Sequence, residues 1–292
     1  MKVSVCMITY GHEKYIEQAI EGVLMQECNF DLELIIADDC SPDGTDKIID
    51  DIKKNHTNGF WIEYTKHSTN KGMMPNFIWA LEQCQSKYIA LCEGDDYWTD
   101  PLKLQKQVDF LEANTDYSIC FHRVKILRGT ELFNDVSIEA RYNRIKEERA
   151  TLNDLLEFGN FMHTPSVMFR NRKSEFPMEF KYSSVGDYFL HILNAQKGYI
   201  KRLEEVMAVY RDGVGVFSTL NQLEQLKKII HYQICLISYL EEDEQKKIIL
   251  NKLFSNMEKL EKQLLKPDSL AKQLSFKKII KLLLIKLKKH RP

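Results

Sequence analysis

Over the first hundred residues, short apolar runs alternate with stretches in which apolar residues recur every three or four positions. The apolar runs predict four β-strands, at Val3–Thr9, Leu32–Asp38, Phe60–Thr65 and Tyr88–Cys92. The stretches between them predict helices, at Lys14–Gln26, Asp43–His56 and Pro75–Cys84. Because nearly continuous apolar strands separated by helices form parallel sheets covered on both faces, this part is predicted to be an α/β structure.

The pattern is less regular after residue 100. It predicts a helix over Pro101–Glu112, a strand over Ser118–Leu127, a short helix from Thr151, a strand over Ser166–Phe169, a helix over Gly186–Lys197 and a strand over Val206–Tyr210. Residues 128–150 are charged and have no readable period, which is typical of a mobile loop. From about Asn221 onward the chain lacks glycine and its pattern is helical. We therefore predict a domain over 1–218, followed by a helical extension over 219–292.

Polar residues follow each of the first four predicted strands. Open α/β sheets bind ligands outside the carboxyl ends of their strands, so these residues are candidates for a functional site. They are Thr9, Tyr10 and His12, then Asp38 and Asp39, then Asn70, Lys71 and Gly72, and finally Glu93, Asp95, Asp96 and Trp98. Two acidic clusters at neighbouring strand ends are costly to hold together without a cation. An alternative for Asp38 and Asp39 is that they only cap the next helix.

The segment Glu93-Gly94-Asp95-Asp96 supplies three carboxylates within four residues. Oxygen ligands of this kind suit Mg²⁺ or Mn²⁺, which keep coordination positions open for phosphate oxygens. The sequence contains neither a GxxxxGK[ST] loop nor a GxGxxG segment after the first strand, and no Cys/His set has zinc spacing. Diphosphate binding by this chain would therefore rest on a metal ion.

Five segments, in this order and spacing, resemble the family 2 glycosyltransferases with the GT-A fold. They are VSVCMITYGH at 3–12, AIEGVLMQ at 19–26, ELIIADDCS at 33–41, NKG at 70–72 and EGDDYWTDPLK at 93–103. The resemblance covers roughly residues 1–115 and weakens toward 218. It implies a nucleotide-diphospho-sugar transferase fold, a Rossmann-like mixed sheet flanked by helices. In it, residues 1–115 would bind the nucleotide sugar and 116–218 would form the acceptor side.

The resemblance also implies roles for individual residues. Thr9 and Tyr10 would line the nucleotide base, and Asp39, supported by Asp38, would hydrogen-bond it. The EGDD segment looks like the DXD-type element of the family, with Asp96 and Asp95 ahead of Glu93 as ligands of the metal and ribose. The other expected donor-binding residues are His12, Asn70, Lys71, Gly72 and Arg211. The donor base implied is uracil, and the implied cofactor is Mn²⁺ or Mg²⁺.

Inverting sugar transfer needs a base that accepts the proton of the attacking hydroxyl. Asp187 resembles the acidic residue that opens a late helix in this family and serves as base. The alternative is a first-turn acid favoured only by the helix dipole. The segment Tyr210-Arg211-Asp212 resembles a Tyr-Arg-x-His stretch of relatives, but Gly213 stands where histidine is expected. A third protein ligand to the metal is therefore in doubt.

Two residues are candidates for the acceptor side. Trp98 is expected to form a wall there, or else to pack beneath the sheet. His163 is expected to contact the acceptor or a phosphate, or else to be a structural histidine. The processive relatives carry a Gln-x-x-Arg-Trp motif, and no tryptophan of this chain follows an arginine. Transfer of a single sugar is therefore favoured.

Composition narrows the class of protein. With 292 residues, 44% of them hydrophobic, the chain can bury a large core and is not mainly disordered. The 41 basic and 42 acidic residues exclude the strongly basic balance of many nucleic-acid binders. Seven cysteines without a CxxC pair indicate buried thiols in a reducing, cytoplasmic setting. No secretory signal and no apolar run of the ~20 residues that span a bilayer are apparent.

The charge is distributed unevenly along the chain. Residues 266–292 carry nine basic residues and one acid, so their net charge is +8, against −9 for residues 1–265. Over residues 274–291, apolar side chains recur at helical spacing opposite lysines, which is typical of a helix lying on an anionic membrane. The alternatives are docking on the acidic body of the same chain or on another subunit of an oligomer.

The leading hypothesis is a cytoplasmic glycosyltransferase, peripheral at the inner face of the cell membrane. It would transfer one sugar from a nucleotide-sugar donor to a glycan or lipid-linked acceptor in bacterial surface polysaccharide synthesis. A sugar nucleotidyltransferase is the nearest alternative, although Thr9-Tyr10-Gly11-His12 is not the glycine-rich loop of that class. The other alternative is a non-catalytic nucleotide-sugar-binding protein docked at the membrane.

Overall fold

The computed structural model describes residues 2–172 and 175–264, and a nine-stranded sheet forms its centre. The strands are β1 (Val3–Thr9), β2 (Leu32–Asp38), β3 (Ile62–Lys66), β4 (Tyr88–Leu91), β5 (Tyr97–Trp98), β6 (Tyr117–Arg128), β7 (Glu131–Asn134), β8 (Met168–Arg170) and β9 (Tyr199–Arg211). The helices are α1 (Ile16–Leu24), α2 (Thr45–Asn55), α3 (Met73–Gln83), α4 (Lys103–Ala113), α5 (Val136–Tyr142), α6 (Leu152–Phe158), α7 (Met178–Lys181), α8 (Gly186–Ala195), α9 (Gln222–Tyr239) and α10 (Asp243–Leu264).

The sheet combines a parallel half with a mixed half, as predicted for this fold class. Its strand order is β3-β2-β1-β4-β8-β6-β9-β5, with β7 paired to β6. The first four of these strands are parallel, whereas β8 runs antiparallel to both of its neighbours. In β1 and β2, Thr9 lies opposite Asp38. The residues that follow these two strands therefore leave the sheet at the same edge.

Helices cover both faces of the sheet because successive side chains of a strand point to opposite faces. Val5 and Met7 of β1 enter one core with Ile20 of α1. Cys6 enters the other core, which includes Phe77 of α3. All seven cysteines are free thiols.

Helices α9 and α10 pack onto the second of these cores. Leu236 of α9 and Ile249 of α10 belong to the same buried cluster as Phe189 of α8. The predicted domain boundary near 218 falls in the loop between β9 and α9. In the described part of the chain, no helix combines the length and the apolar character needed to cross a bilayer.

Residues 128–150 differ from the prediction of a patternless mobile loop. They contain β7 and α5, and the Asp135 carboxylate caps α5 by accepting the N–H groups of Ser137 and Ile138. A four-residue strand and a seven-residue helix are too short to show a period, which is why the prediction was wrong.

Other differences concern the extent of elements. β9 begins at Tyr199, before the predicted start at Val206. Its first half contains several charged residues and so lacks the continuous apolar run on which the prediction rested. β3 begins at Ile62 because Gly59–Trp61 form a 3₁₀ turn. β5 and α7 were not predicted. The predicted basic helix over 274–291 lies outside the described residues.

Candidate active site

Asp39 connects the edge of β2 to the segment that follows β3. One carboxylate oxygen accepts the Lys71 N–H at 2.7 Å and the other accepts the Gly72 N–H at 2.9 Å. The side chain of Asn70 also accepts the Gly72 N–H, at 3.0 Å. Gly72 has φ +89°, a conformation that favours glycine. Asp39 thus brings the predicted donor-binding segment 70–72 to the same edge as Thr9, whose carbonyl accepts the Asp39 N–H.

Asp38 is fully buried and binds within the protein. Its Oδ1 accepts the Ser41 N–H at 2.7 Å, and its Oδ2 accepts the Tyr64 hydroxyl at 2.9 Å. Burial and this hydrogen bond raise the pKa of the Tyr64 hydroxyl. The alternative that these two aspartates cap α2 is wrong, because their carboxylates are bound to other groups.

The EGDD segment lies at the carboxyl end of β4 and forms a compact acidic turn. One ligand oxygen from each of Glu93, Asp95 and Asp96 lies within 4.8 Å of the others. Burial raises the pKa of Glu93 and of Asp96, and the neighbouring carboxylates raise them further. The turn is therefore electrostatically strained in the absence of a positive charge.

Gly94 lets the acidic turn approach β1 closely. Its N–H donates to the Ile8 carbonyl at 3.0 Å. A Cβ atom at this position would lie 2.7 Å from the Thr9 hydroxyl and 2.9 Å from Nδ1 of His12. The His12 ring in turn contacts the Thr9 hydroxyl at 3.1 Å, and burial lowers the pKa of His12. Thr9 and His12 thus form the support for the turn.

Asp96 carries an oxygen atom that has no partner among the described residues. Its Oδ1 accepts the backbone N–H of Arg211 at 2.8 Å, whereas its Oδ2 is buried and receives no hydrogen bond. An unsatisfied buried carboxylate oxygen is destabilising. A cation bound by Asp96, Asp95 and Glu93 would satisfy this atom, and the all-oxygen donor set fits Mg²⁺ or Mn²⁺.

Arg211 supports the acidic turn through its guanidinium group. This group is nearly buried, donates to the Asp95 carbonyl and to the Gln18 side chain, and lies 4.6 Å from the Tyr97 ring centroid and 5.1 Å from that of Tyr15. Both hydrogen bonds fix Arg211 to the protein, so its predicted contact with a phosphate stays a prediction.

The loop after β9 passes close to the acidic turn. A Cβ atom on Gly215 would lie 3.1 Å from Oδ2 of Asp95. Gly213, with φ +86°, allows the chain to bend there. Backbone therefore lies beside the carboxylate where a donor diphosphate would bind.

Asp187 lies in the first turn of α8. Its Oδ2 accepts a hydrogen bond from the Asn160 amide at 3.1 Å. Its charge contributes to the raised pKa of Glu93, so the two carboxylates lie near each other. Tyr10, which directly follows β1, is 46% exposed.

The two acceptor-side candidates lie in different surroundings. His163 contacts the Asp135 carboxylate at 2.5 Å, and its ring centroid is 4.5 Å from that of Tyr210. The prediction that Trp98 forms an acceptor wall is wrong. Trp98 is buried, its indole N–H donates to the Pro165 carbonyl, and Nζ of Lys103 lies 3.8 Å from its ring centroid. The alternative, packing within the core, is correct.

Three residues of the site were not singled out from the sequence. Gln18 binds Arg211, Asn160 binds Asp187, and Gly215 approaches Asp95. The closely spaced Gly213 and Gly215 could have indicated the role of Gly215. No sequence signal indicated Gln18 or Asn160, because their partners are distant in sequence.

A parallel half-sheet with an oxygen-rich acidic turn at its carboxyl edge, continued by a mixed half, is the arrangement of the GT-A class of nucleotide-diphospho-sugar transferase folds. The chain belongs to glycosyl transferase family 2, whose sequence profile it matches over residues 4–174.

Curated relatives share part of this chain. This chain is 36% identical over 209 residues to the uncharacterized protein Rv1520 of Mycobacterium tuberculosis. The matched region covers 72% of this chain and 58% of Rv1520. The chain thus spans little more than half the length of this relative. Over 111 residues it is 33% identical to the Escherichia coli UDP-Glc:alpha-D-GlcNAc-diphosphoundecaprenol beta-1,3-glucosyltransferase WfaP, covering 38% of this chain and 41% of WfaP.

Solved structures share the fold. Staphylococcus aureus TarS 1–349 in complex with UDP-GlcNAc has a TM-score of 0.65 at 18% identity, covering 94% of this chain and 78% of that chain. The mannosyltransferase PcManGT from Pyrobaculum calidifontis, in complex with GDP-Man and Mn²⁺, has a TM-score of 0.65 at 16% identity, covering 97% and 80%. At these identities the likeness shows the fold alone.

Proposed function

We propose that this chain is a metal-dependent, inverting glycosyltransferase that transfers a single sugar from a UDP-sugar to a hydroxyl of a glycan or lipid-linked acceptor in surface polysaccharide synthesis. The observation that carries this proposal is the unpartnered buried oxygen of Asp96 within a cluster of three carboxylates. The uracil donor is supported by the structural similarity to TarS in complex with UDP-GlcNAc, and the lipid-linked acceptor class by the similarity to WfaP, a UDP-Glc:alpha-D-GlcNAc-diphosphoundecaprenol glucosyltransferase.

The donor would bind along the edge formed by β1, β2 and the acidic turn. Thr9, Tyr10 and Asp39 would surround the base, with segment 70–72 held in place by Asp39. Asp96, Asp95 and Glu93 would hold Mn²⁺ or Mg²⁺, which supplies charge neutralisation at the leaving diphosphate. Arg211 keeps the turn in position from beneath.

Asp187 would act as the base. It lies in the first turn of α8, and its charge contributes to the raised pKa of Glu93, so the two carboxylates lie near each other. An acceptor hydroxyl placed between Asp187 and the anomeric carbon would lose its proton to the carboxylate as its oxygen attacks. Attack from the side opposite the leaving diphosphate inverts the configuration at that carbon.

The metal-centred mechanism is tested by release of UDP from UDP-GlcNAc and a panel of other UDP-sugars, with and without Mn²⁺. Asp96→Asn should lower Mn²⁺-dependent turnover at least 100-fold, because it removes a charged ligand without changing the shape of the side chain. Asp50→Asn, at an exposed position of α2, is the matched control and should match the wild type. Mn²⁺-dependent turnover that survives in Asp96→Asn would refute the metal site.

The proposed location is the cytoplasmic face of the membrane, with residues 274–291 as the contact. Support comes from the basic, periodic sequence of this segment, where each basic residue near an anionic surface contributes about 1 kcal/mol. The full chain should float with vesicles containing anionic phosphatidylglycerol and not with phosphatidylcholine alone. A chain ending at residue 265 should float with neither. Equal flotation of the two chains would contradict the membrane contact.

A further inference from the structure

The side chain of Asn160 lies beside the proposed base although no motif includes it. It stands in the loop after α6, following Gly159, which has φ +81°. Its amide nitrogen donates to Oδ2 of Asp187 at 3.1 Å across 27 residues of sequence. This contact is the one hydrogen bond that the Asp187 carboxylate makes within the described part of the chain.

The backbone N–H of Met162 determines which way the Asn160 amide faces. The Oδ1 atom of Asn160 accepts this N–H at 3.2 Å and also lies 3.4 Å from Nδ1 of His191. Burial lowers the pKa of His191 to about 4, so its ring is neutral near pH 7. Because the Met162 N–H can only donate, the oxygen of the Asn160 amide faces it and the NH₂ group points to Asp187.

The backbone of Asn160 is also fixed. Its carbonyl oxygen accepts a hydrogen bond from the guanidinium of Arg141 on α5, at 2.7 Å. The groups that interact electrostatically with Asp187 from the surrounding elements are Glu93, Tyr188, His191, Tyr210 and Tyr232. The charged Arg141 guanidinium also lies near, since it interacts electrostatically with Tyr188 and Tyr232, but within the described residues the hydrogen bond to the Asp187 carboxylate comes from Asn160. Asn160 is thus the polar group placed to orient the carboxylate.

We propose that Asn160 is a positioning residue for the transfer reaction. Its amide holds the Asp187 carboxylate in one rotamer, so that the carboxylate is placed to accept the proton of the acceptor hydroxyl. The inference rests on the proposed function, in which Asp187 is the base. It adds a residue from a loop that lies beyond the five motif segments at 3–103.

The test compares Asn160→Asp and Asn160→Ala with the wild type over a pH series, in the full chain with Mn²⁺ and UDP-GlcNAc or the UDP-sugar that turns over fastest. Asn160→Asp keeps the size and the acceptor oxygen but replaces the donor by a second carboxylate. We expect kcat to fall at least tenfold and the acidic limb of its pH profile to move up by about one unit. Asn160→Ala should also lower kcat and move the acidic limb up, but by less. In both variants KM for the donor should change less than twofold.

Two controls separate positioning from general damage to the fold. Asn194→Ala removes an amide on the same helix as Asp187, whose contact is the Leu190 carbonyl, and should leave kcat and the pH profile unchanged. In an Asp187→Asn background, Asn160→Ala should lower the residual rate less than twofold, because a residue that acts through Asp187 has nothing left to orient.

The outcomes are distinct for the two proposals. If both Asn160 variants keep the wild-type kcat and acidic limb while Asp187→Asn is inactive, Asn160 does not position the base and the proposed function stands. If Asp187→Asn retains turnover close to that of the wild type, the base assignment itself is wrong. A loss in Asn160→Ala that is equally large in the Asp187→Asn background would show a structural role and overturn the inference.

Discussion

At the scale of single residues, Lys103 shows how burial changes the properties of a charged group. Its side chain is fully buried, and its Nζ donates to Gln107 at 2.7 Å and lies over the Trp98 ring. No carboxylate of the described residues forms an ion pair with it. Burial therefore lowers the pKa of Lys103 to about 7. Because an unfolded lysine has a pKa near 10.4, the unfolded chain binds the proton more tightly than the folded chain.

Replacing Lys103 by methionine should remove a pH dependence of stability. Between about pH 7 and 10.5 the unfolded state holds more protons, so the stability contributed at Lys103 is present above this window and is lost as the pH falls through it. The free energy of unfolding of the wild type, minus that of Lys103→Met, should rise by about 1–3 kcal/mol from pH 7.5 to 9.5. Denaturant unfolding at several pH values measures this.

The matched control is Lys106→Met on the same helix. The side chain of Lys106 is 34% exposed, and its hydrogen bond to Asp100 raises its pKa, so its contribution to stability is lost only above the unfolded pKa, outside the window. The free energy of unfolding of the wild type, minus that of Lys106→Met, should stay constant between about pH 7.5 and 9.5. Stability curves of wild type and Lys103→Met that run parallel would contradict the assignment.

At the scale of elements, the close packing of α1 on β5 fixes the position of the backbone that follows the acidic turn. Gly22 of α1 faces the backbone of Trp98, which directly follows the EGDD segment and Tyr97. A Cβ atom at position 22 would lie 2.8 Å from the Trp98 nitrogen and 3.0 Å from its carbonyl oxygen. Glycine in mid-helix therefore serves close packing of a helix on a strand.

Gly22→Ala should destabilise the protein although alanine is the better helix former. Its helix propensity alone favours the variant by about 1 kcal/mol. Overlap with backbone atoms, which cannot move aside as a flexible side chain can, should outweigh this and give a net loss of about 1–3 kcal/mol. Glu21→Ala, at the exposed neighbouring position, should change stability by less than about 0.5 kcal/mol. Thermal unfolding of the three chains decides the sign, and a stabilised Gly22→Ala would contradict the packing argument.

At the scale of the whole molecule, α9 and α10 share a core with the sheet. Leu236 is fully buried in the cluster that also contains Phe189 of α8 and Phe77 of α3. Both of those helices border the candidate active site, since α8 carries Asp187 in its first turn and begins with Gly186, which packs against Phe77. The helical extension therefore supports the side of the site that carries the proposed base.

Leu236→Ala should lower the free energy of unfolding by about 2–4 kcal/mol, because it leaves a cavity in this shared core. Ile234→Ala, two residues earlier on the same helix, is the control: this side chain is 39% exposed and its loss should be well under half as large. Chemical denaturation measures both, and equal losses would mean that α9 does not pack as described.

The apolar strands and helices of the first half could be predicted because burial on both faces leaves a strong local signal. β1 and β2 have the predicted bounds. The acidic turn was also predictable, since its three carboxylates are adjacent in sequence. The contacts of Asn160 with Asp187 and of Gln18 with Arg211 join residues 27 and 193 positions apart, so no local pattern could indicate them. The burial of Trp98 could not be predicted either, because it depends on contacts with α4 and with the turn at 164–166.

By itself, the sequence determined the fold class, the order of its main elements and the residue types of the acidic turn, because these depend on hydrophobic period and on chemistry within a few neighbouring positions. Tertiary structure alone decided which oxygen of Asp96 lacks a partner, which donor orients Asp187 and which side Trp98 faces. Those outcomes depend on burial and on hydrogen-bond geometry between elements, and both arise only when distant segments pack together.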